Sequence, residues 1–275
     1  MNDSWFKISV IDGAINICLF LEMYPECSIN DAIERLRTGP VSLACYDYQK
    51  AQALGELVGW ETFSVEGSRC EKLRGILKSM LIYFQPFWAR HSYLGRDKVI
   101  VFLNDNALQC LKIAGLLESP LSDAVMTWWE GIGRFFRSIE ESRKLQIGRE
   151  GERKSFNYEK IRLRNELITR EPEWIALVDN TANFDILSYK RFPGDLTSES
   201  ELMIEVKACT YEPKSFILTR NEWLKAIESP NSYMFHIWNL VKNELTVLTV
   251  EQMLVHIPSN HGNGKWETVK VVLDY

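Results

Sequence analysis

Leu-Met-Ile-Glu-Val-Lys-Ala, residues 202–208, is an apolar run that carries a carboxylate and an ammonium two positions apart. On a β-strand, residues i and i+2 point to the same side of the sheet, so Glu205 and Lys207 would project together. The alternate apolar residues would then face a core. Burying two opposite charges costs free energy, so such a pair is expected where a metal ion or a substrate requires it. The run therefore predicts a strand with a chemical role.

A partner strand is predicted upstream over residues 183–189, Asn-Phe-Asp-Ile-Leu-Ser-Tyr, which carries a carboxylate of its own, Asp185. An antiparallel pairing of the two strands would bring Asp185 beside Glu205. Two carboxylates and the Lys207 ammonium on one sheet face indicate a magnesium-dependent phosphodiesterase.

Glu-x-Lys by itself is a weak signal, because the tripeptide occurs elsewhere in the chain. The copy at 152–154 lies in a predicted helix, and the copy at 212–214 contains a proline, which does not suit a central strand. Only the copy at 205–207 has the flanks of a buried strand.

The bulk composition is that of a folded protein with enough residues for two modest domains: 275 residues, 46% hydrophobic and 25% charged. No apolar run reaches the roughly 18–20 residues of a membrane span, and the first residues lack the features of a signal peptide. We therefore expect a cytoplasmic protein without membrane contact. Six cysteines without Cys-x-x-Cys spacing indicate buried thiols, not a zinc site or disulfides.

Charge is distributed unevenly along the chain. The formal net charge is −5, yet the segment 134–170 holds eleven Lys or Arg against six Asp or Glu. Local charge sets the affinity of a surface for phosphate, so the acidic net value does not exclude nucleic acid as a partner.

Residues 1–144 are predicted to form a helical N-terminal domain. Capping boxes at Ser28 and Ser68 start two helices, the second with an apolar stripe, and the aromatic-rich helix after Ser122 leads to a domain boundary near Leu145. Residues 98–103 are predicted to be a short strand. A strand among short helices is compatible with a winged-helix module for DNA, and a helical domain for partner docking is the alternative.

Residues 145–275 are predicted to form an α+β domain. The expected order is a helix over 149–167, strands near 174–179, 183–189 and 202–208, a capped helix from Thr219 through 228, and a strand over 233–240. Glu152 lies one turn into the first helix, beside glycines that permit close approach of another backbone. Glu222 completes the capping box at Thr219, and this local role is preferred over a substrate contact.

Five blocks of residues follow one another in a fixed order: Gly148–Glu152, Tyr158–Lys160, Phe184–Ser188, Ile204–Lys207 and Phe216–Trp223. Together they resemble the NO VEIN C-terminal domain family of the PD-(D/E)xK nuclease-like superfamily, which includes Mrr-type restriction enzymes and subunits of antiphage systems. The resemblance covers residues 145–250. It implies a mixed central sheet flanked by helices.

The resemblance also implies a catalytic site of four residues. Asp185 and Glu205 would bind Mg²⁺ or Mn²⁺, Glu152 would complete the metal site, and Lys207 would orient or activate the attacking water. Phe184 stands where the superfamily nominally has proline before the aspartate, a departure that removes no functional group. The predicted nucleic-acid contacts are Arg149, Arg153, Lys154, Lys160, Arg164 and Arg220.

These observations predict a metal-dependent DNA endonuclease, the nuclease component of a bacterial restriction or antiphage system. One alternative is a catalytically silent nuclease-fold subunit that binds nucleic acid or scaffolds a partner, and another is a protein-interaction module. The chain has no Gly-x-x-x-x-Gly-Lys phosphate loop, so any ATP-driven work must come from another chain. The resemblance to nuclease subunits implies a helicase, ATPase or sensor subunit of a defence complex as a partner besides DNA. A homodimer is also compatible with this interpretation.

Overall fold

The computed structural model describes residues 2–63, 67–179, 181–192, 195–260 and 262–274. It consists of two compact units, Met1–Glu140 and Glu141–Tyr275. The boundary predicted near Leu145 falls within one long helix that begins in the first unit and ends in the second. Within the described ranges, no helix is both long enough and apolar enough to cross a membrane.

The first unit is helical, and local capping explains where two of its helices begin. The Ser28 and Ser68 side chains each accept a bond from the N3 amide, and the N3 carboxylates of Asp31 and Glu71 bond back. Both predicted capping boxes are therefore confirmed. The helices are α1 (Ile8–Met23), α2 (Ile29–Thr38), α3 (Val41–Ala44), α4 (Tyr48–Val58), α5 (Arg69–Phe84), α6 (Arg96–Ile100), α7 (Asp105–Ile113) and α8 (Asp123–Asn165).

The core of this unit is built on the apolar stripe of α5, whose members are all buried, as predicted. Phe6 packs edge-on against Phe84 and Trp88, and the Trp88 indole donates to the Asp3 carboxylate at 3.1 Å. Apolar burial of this kind stabilises a domain by about 25 cal/mol per Å².

The strand predicted over residues 98–103 is wrong. Arg96–Ile100 forms the short helix α6, after which Val101 and Phe102 are 74% and 46% exposed. A short apolar run fits a strand or a helix equally well by periodicity, and here only Val99 enters the core. The described part of the first unit contains no strand, so the wing of a winged-helix module has no counterpart there.

Helix α8 runs without interruption through the two segments that the sequence predicts as separate helices. Gly148 and Gly151 do not end it. A Cβ atom on Gly151 would lie 2.7 Å from the Ala208 Cβ, so this glycine permits close packing of the helix on a strand. The small-residue contact expected of this segment is therefore present at Gly151.

The second unit contains a mixed five-stranded sheet, in agreement with the predicted α+β class. Its strand order is β1-β2-β3-β5-β6, with β3 and β5 parallel and the other neighbours antiparallel. Strands β4 and β7 pair separately. The elements are β1 (Glu173–Trp174), β2 (Ile186–Phe192), β3 (Asp195–Cys209), β4 (Lys214–Thr219), α9 (Arg220–Glu228), β5 (Tyr233–Asn239), β6 (Glu244–Thr249), α10 (Val250–Leu254) and β7 (Thr268–Leu273).

Alternation along β3 separates two cores. Ile204 and Val206 belong to an apolar cluster with Phe156 of α8, whereas Phe235, the register partner of Glu205, packs in a cluster with Trp223 of α9. The charged pair of β3 therefore faces the α9 side, and α8 covers the opposite side.

A buried polar network attaches α8 to the sheet. Glu159 accepts a fork of bonds from Arg162 and a 2.5 Å bond from the Ser188 hydroxyl, and its second oxygen lies 3.8 Å from His236 Nε2. His236 Nδ1 lies 3.2 Å from Ser155 Oγ. Burial lowers the His236 pKa to about 4, so the ring is neutral at physiological pH.

Gly151→Ala should destabilise the second unit although alanine has the higher helix propensity, because its Cβ would overlap Ala208. Gly148→Ala is the matched control, because the nearest atom to its Cβ, a Glu152 carboxylate oxygen, lies 4.0 Å away. Thermal unfolding should show a loss of about 1–3 kcal/mol for Gly151→Ala and no loss for Gly148→Ala. Equal midpoints for the two variants would contradict the close packing.

Candidate active site

Backbone pairing places Asp185 at the entrance to β2. Its amide donates to the Ile204 carbonyl at 2.9 Å, and its carboxylate accepts from the Val206 amide at 2.7 Å. The register Ile186↔Ile204 puts Asp185 opposite Glu205. The predicted antiparallel pairing that brings these two carboxylates together is confirmed.

Lys207 lies between two carboxylates. Its Nζ is 2.7 Å from Glu205 Oε1 and 2.8 Å from Glu222 Oε2. The side chains of Glu205, Lys207 and Glu222 are 5%, 14% and 18% exposed, so little water screens these charges. Glu205 and Lys207 point to the same side of β3, as their spacing predicts.

Glu222 is a site residue that was not predicted from the sequence. Its capping box with Thr219 is confirmed, with the Thr219 amide donating to Glu222 Oε2 at 2.9 Å. The same oxygen also accepts from Lys207. The available signal was the position of the box directly after the largely buried strand β4, which places a carboxylate in the first turn of α9 at the end of that strand.

A pocket of about 120 Å³ contains four carboxylates: those of Asp179, Asp185, Glu205 and Glu222. Only Lys207 pairs with any of them among the described residues, and it pairs with Glu205 and Glu222. The site therefore carries more negative than positive charge. The volume suits an ion with a few waters and is too small for a nucleobase.

Burial and charge shift the titration of these groups. Burial raises the pKa of Asp185 to about 6, and Glu152 adds to the shift while the bond from the Val206 amide opposes it. Burial also raises the Glu205 pKa well above its ordinary value, against the opposing charge of Lys207. Burial lowers the Lys207 pKa, but Glu205 and Glu222 outweigh this effect and raise it above its ordinary value. The lysine is thus an ammonium at neutral pH.

Glu152 lies near this pocket but is not among the described residues that line it. Its carboxylate accepts from the Trp174 indole at 2.7 Å and from Arg149 at 3.0 Å. Its charge raises the Asp185 pKa. The role of Glu152 as a metal ligand stays a prediction.

The donor set consists of oxygen atoms, which suit Mg²⁺ or Mn²⁺. Among the described residues, no group of three or more His, Cys, Asp or Glu side chains has the spacing to bind one metal ion. Mg²⁺ sites often use one or two carboxylates and complete the shell with water and phosphate oxygens. Asp185, which is partly buried, and Glu205, which is buried, have raised pKa values and fit such a site.

Three basic residues of α8 that are predicted to bind nucleic acid contact polar side chains of the second unit. Arg153 pairs with Glu150 at 2.7 Å, which is the intrahelical alternative for this residue. Lys154 donates to the Asn243 side chain at 2.5 Å, and Arg149 pairs with Glu152.

The other three basic residues have weaker contacts. Lys160 lies over the Phe156 ring, Arg164 is 3.9 Å from Glu171, and Arg220 donates to the Asn260 side chain at 3.0 Å. Arg164 is well exposed, and Lys160 and Arg220 are partly exposed. Surface contacts of this kind contribute about 0–1 kcal/mol and leave the charges available to a ligand.

Asp185→Asn should raise the stability of the protein at pH 7.5. A carboxylate whose pKa rises from 3.8 unfolded to about 6 folded contributes stability below pH 3.8 and loses it as the pH rises through 6. The gain should be roughly 1–3 kcal/mol at pH 7.5 and should vanish near pH 4. Thermal unfolding in EDTA at both pH values measures it.

Asp179→Asn is the control for this prediction. The Asp179 pKa is lowered by bonds from Thr181, so this change should not stabilise the protein. A lower midpoint for Asp185→Asn at pH 7.5 would mean that the ionised carboxylate is not strained in the fold.

Comparison with known proteins gave one match. Residues 151–250 match the family model described as "Protein NO VEIN, C-terminal". No curated protein and no solved structure matched the chain. The matched residues contain Glu152, both strands of the carboxylate pair and the start of α9, and the similarity to this family indicates a nuclease-like domain for them. This segment of the chain is therefore similar to the NO VEIN C-terminal family.

Proposed function

We propose that the second unit is a metal-dependent endonuclease that hydrolyses phosphodiester bonds in DNA. The observation that carries this proposal is the pair Asp185 and Glu205, two largely buried carboxylates on adjacent strands, with the Lys207 ammonium on the same side. Resemblance to the PD-(D/E)xK superfamily supports the same assignment.

The negative charge in the pocket favours the binding of a divalent cation. Two carboxylates with raised pKa values in one small pocket repel each other, and a cation would relieve that repulsion. Asp185 and Glu205 would hold Mg²⁺ or Mn²⁺, and Glu152 would contribute through the shell of waters. When bound, such an ion polarises a phosphoryl oxygen.

Lys207 stabilises charge in this proposal and does not remove a proton. An ammonium with a raised pKa can donate hydrogen bonds to water and to a phosphate oxygen, but it cannot accept a proton. The attacking water would be oriented by this donor, and the negative charge that develops on the phosphate would be neutralised by it. Glu222 would act as a positioning residue, because its carboxylate holds the Lys207 side chain.

Basic residues on α8 and at the start of α9 would contact the DNA backbone. The set is Arg149, Arg153, Lys154, Lys160, Arg164 and Arg220. The partners of Arg153, Lys154 and Arg220 are side chains on the surface, so phosphates can compete for these three residues.

The biological setting that we propose is restriction or antiphage defence. Its support is the resemblance to a superfamily rich in such nucleases, together with the absence of a phosphate loop from the sequence. A helicase, ATPase or sensor subunit would supply work or a trigger.

A catalytically silent subunit is the alternative, and one observation favours it. Lys207 already forms ion pairs with Glu205 and Glu222, so these two carboxylates are partly neutralised by a protein group without a metal ion. A silent subunit would bind DNA with wild-type affinity but would not cleave it with either metal, whether or not its partner is present.

Glu205→Gln and Asp185→Asn should each reduce cleavage of plasmid DNA by a hundredfold or more, because each removes a metal-binding charge while keeping the side-chain shape. Glu222→Gln should retain its helix cap, since glutamine also serves at N3, but should lower the rate by about tenfold through a less constrained Lys207. The measurement is nicking with Mg²⁺ or Mn²⁺, with EDTA as the blank.

Glu201→Gln is the matched control for these variants. Glu201 lies on the same strand as Glu205 and, four residues away, points to the same side of it, but Glu201 is exposed. Its rate should stay within about twofold of wild type. Cleavage that survives Glu205→Gln at the wild-type rate would refute the site.

Arg153→Ala combined with Lys154→Ala should weaken duplex binding and lower the slope of log affinity against log salt by roughly 0.7–0.9 for each phosphate that the protein no longer neutralises. Sequence preference should not change, because bonds to phosphate carry no base information. Titrations at several salt concentrations with EDTA present measure the slope. An unchanged slope would show that these two residues lie outside the DNA track.

A further inference from the structure

A second cleft, of about 390 Å³, lies within the first unit. Its walls come from the 3-10 helix Phe87–Leu94, from the start of α6 and from the part of α8 before Glu140. Three arginines, a glutamate and a serine line it: Arg96, Arg134, Arg137, Glu130 and Ser92. The size lies in the range of about 300–1,000 Å³ that is usual for ligand sites.

The arginines of this cleft are available to a ligand. Arg134 and Arg137 are exposed and three residues apart on α8, so they lie on one side of the helix. Within the described part of the chain, neither side chain has a hydrogen bond or an ion pair. Arg96 donates to the Glu118 carbonyl at 2.9 Å and contacts Asp97 through Nε, and these contacts do not use its Nη2.

Ser92 provides an independent observation. This residue is 6% exposed and lines the cleft, yet its hydroxyl has no hydrogen-bond partner among the described residues. A buried polar atom without a partner costs about 1–3 kcal/mol, so such atoms call for an explanation. Because this oxygen is shielded from solvent, the Ser92 side chain would have to rotate for a ligand oxygen in the cleft to become its partner.

A salt-bridge surface is the purely structural interpretation of these arginines. Glu130 and Arg134 are four residues apart on α8, a spacing at which glutamate and arginine commonly pair. That pair is not formed among the described residues, and three guanidinium groups face one carboxylate. The cleft therefore has a formal charge of +2 that its own residues do not neutralise.

We propose that this cleft binds a phosphate group, carried by a nucleic-acid backbone or by a free nucleotide. A planar guanidinium group can donate two parallel hydrogen bonds to the oxygens of one phosphate, and the Ser92 hydroxyl would add a donor after rotation of its side chain. Tyr93 and Trp129 line the same cleft and give it an apolar wall suited to a sugar or a base. The first unit would thus hold a ligand site of its own, independent of cleavage by the second unit.

The test is ligand binding by the full chain in EDTA, where metal-dependent cleavage is suppressed. The probes are a labelled oligo-dT single strand, followed by fluorescence anisotropy, and ATP, followed by calorimetry. Arg134→Gln combined with Arg137→Gln should weaken binding of at least one probe by about tenfold or more. Arg35→Gln combined with Arg37→Gln makes the same charge change on exposed residues of α2 and should leave affinity within about twofold.

Glu130→Gln should change the affinity for the probe in the opposite direction. Loss of the only carboxylate that faces the cleft among the described residues should tighten binding of the same probe by a few-fold. A tighter complex cannot result from damaged folding, so this variant separates a ligand site from a structural role. Loss of oligo-dT binding alone identifies a nucleic-acid backbone as the ligand, and loss of ATP binding identifies a nucleotide.

Three results would overturn the proposal. The first is that the wild type binds neither probe, and the second is that the cleft double variant binds like the wild type. The third is an equal loss of affinity in the α2 double variant, which would mean that the net charge of the protein, not the cleft, determines binding. Cleavage activity does not enter any of these measurements, so a failure of the nuclease assignment leaves the test intact.

Discussion

The Lys207 ammonium is held between two carboxylates in a site almost closed to water, and the second unit is organised around this constraint. Strand β3 supplies Glu205 and Lys207, α9 supplies Glu222, and the pairing of β2 brings in Asp185. Three elements distant in sequence must therefore be placed to within hydrogen-bond distance. A buried ion pair contributes little net stability by itself, because desolvation offsets the attraction. The apolar clusters on the two sides of β3 supply the stability instead.

The two sides of the five-stranded sheet differ in how their polar groups are paired. On the α8 side, Gly151 lets the helix approach Ala208, and Glu159, Arg162 and Ser188 satisfy one another in a closed network. On the α9 side the carboxylates remain in excess and their pKa values are raised. The polar groups on the α8 side therefore pair with one another and hold the helix on the sheet. On the α9 side, where catalysis is proposed, negative charge exceeds positive charge, and such unfavourable electrostatic interactions are expected at a functional site.

Local rules were sufficient for much of this fold. Alternation on β3 and the position of Asp185 predicted the strand pairing and the carboxylate pair, and capping boxes placed three helix starts. The failures have physical causes. The run at 98–103 has no period that separates helix from strand, and the pairing of β4 with β7 joins segments too far apart for local patterns to connect. Glu222 was missed because its cap gave a complete local explanation, whereas its contact with Lys207 depends on tertiary structure.

One oxygen of Glu222 accepts both from the Thr219 amide and from Lys207. The first turn of α9 and the charge state of the site are therefore linked thermodynamically. Any ligand that draws the ammonium toward itself leaves this oxygen to the amide alone, and any disruption of the cap frees the carboxylate to follow the lysine. The rate of amide hydrogen exchange at the start of α9 would consequently change when a ligand binds in the pocket. Binding could then be followed without attaching a dye or label to the protein.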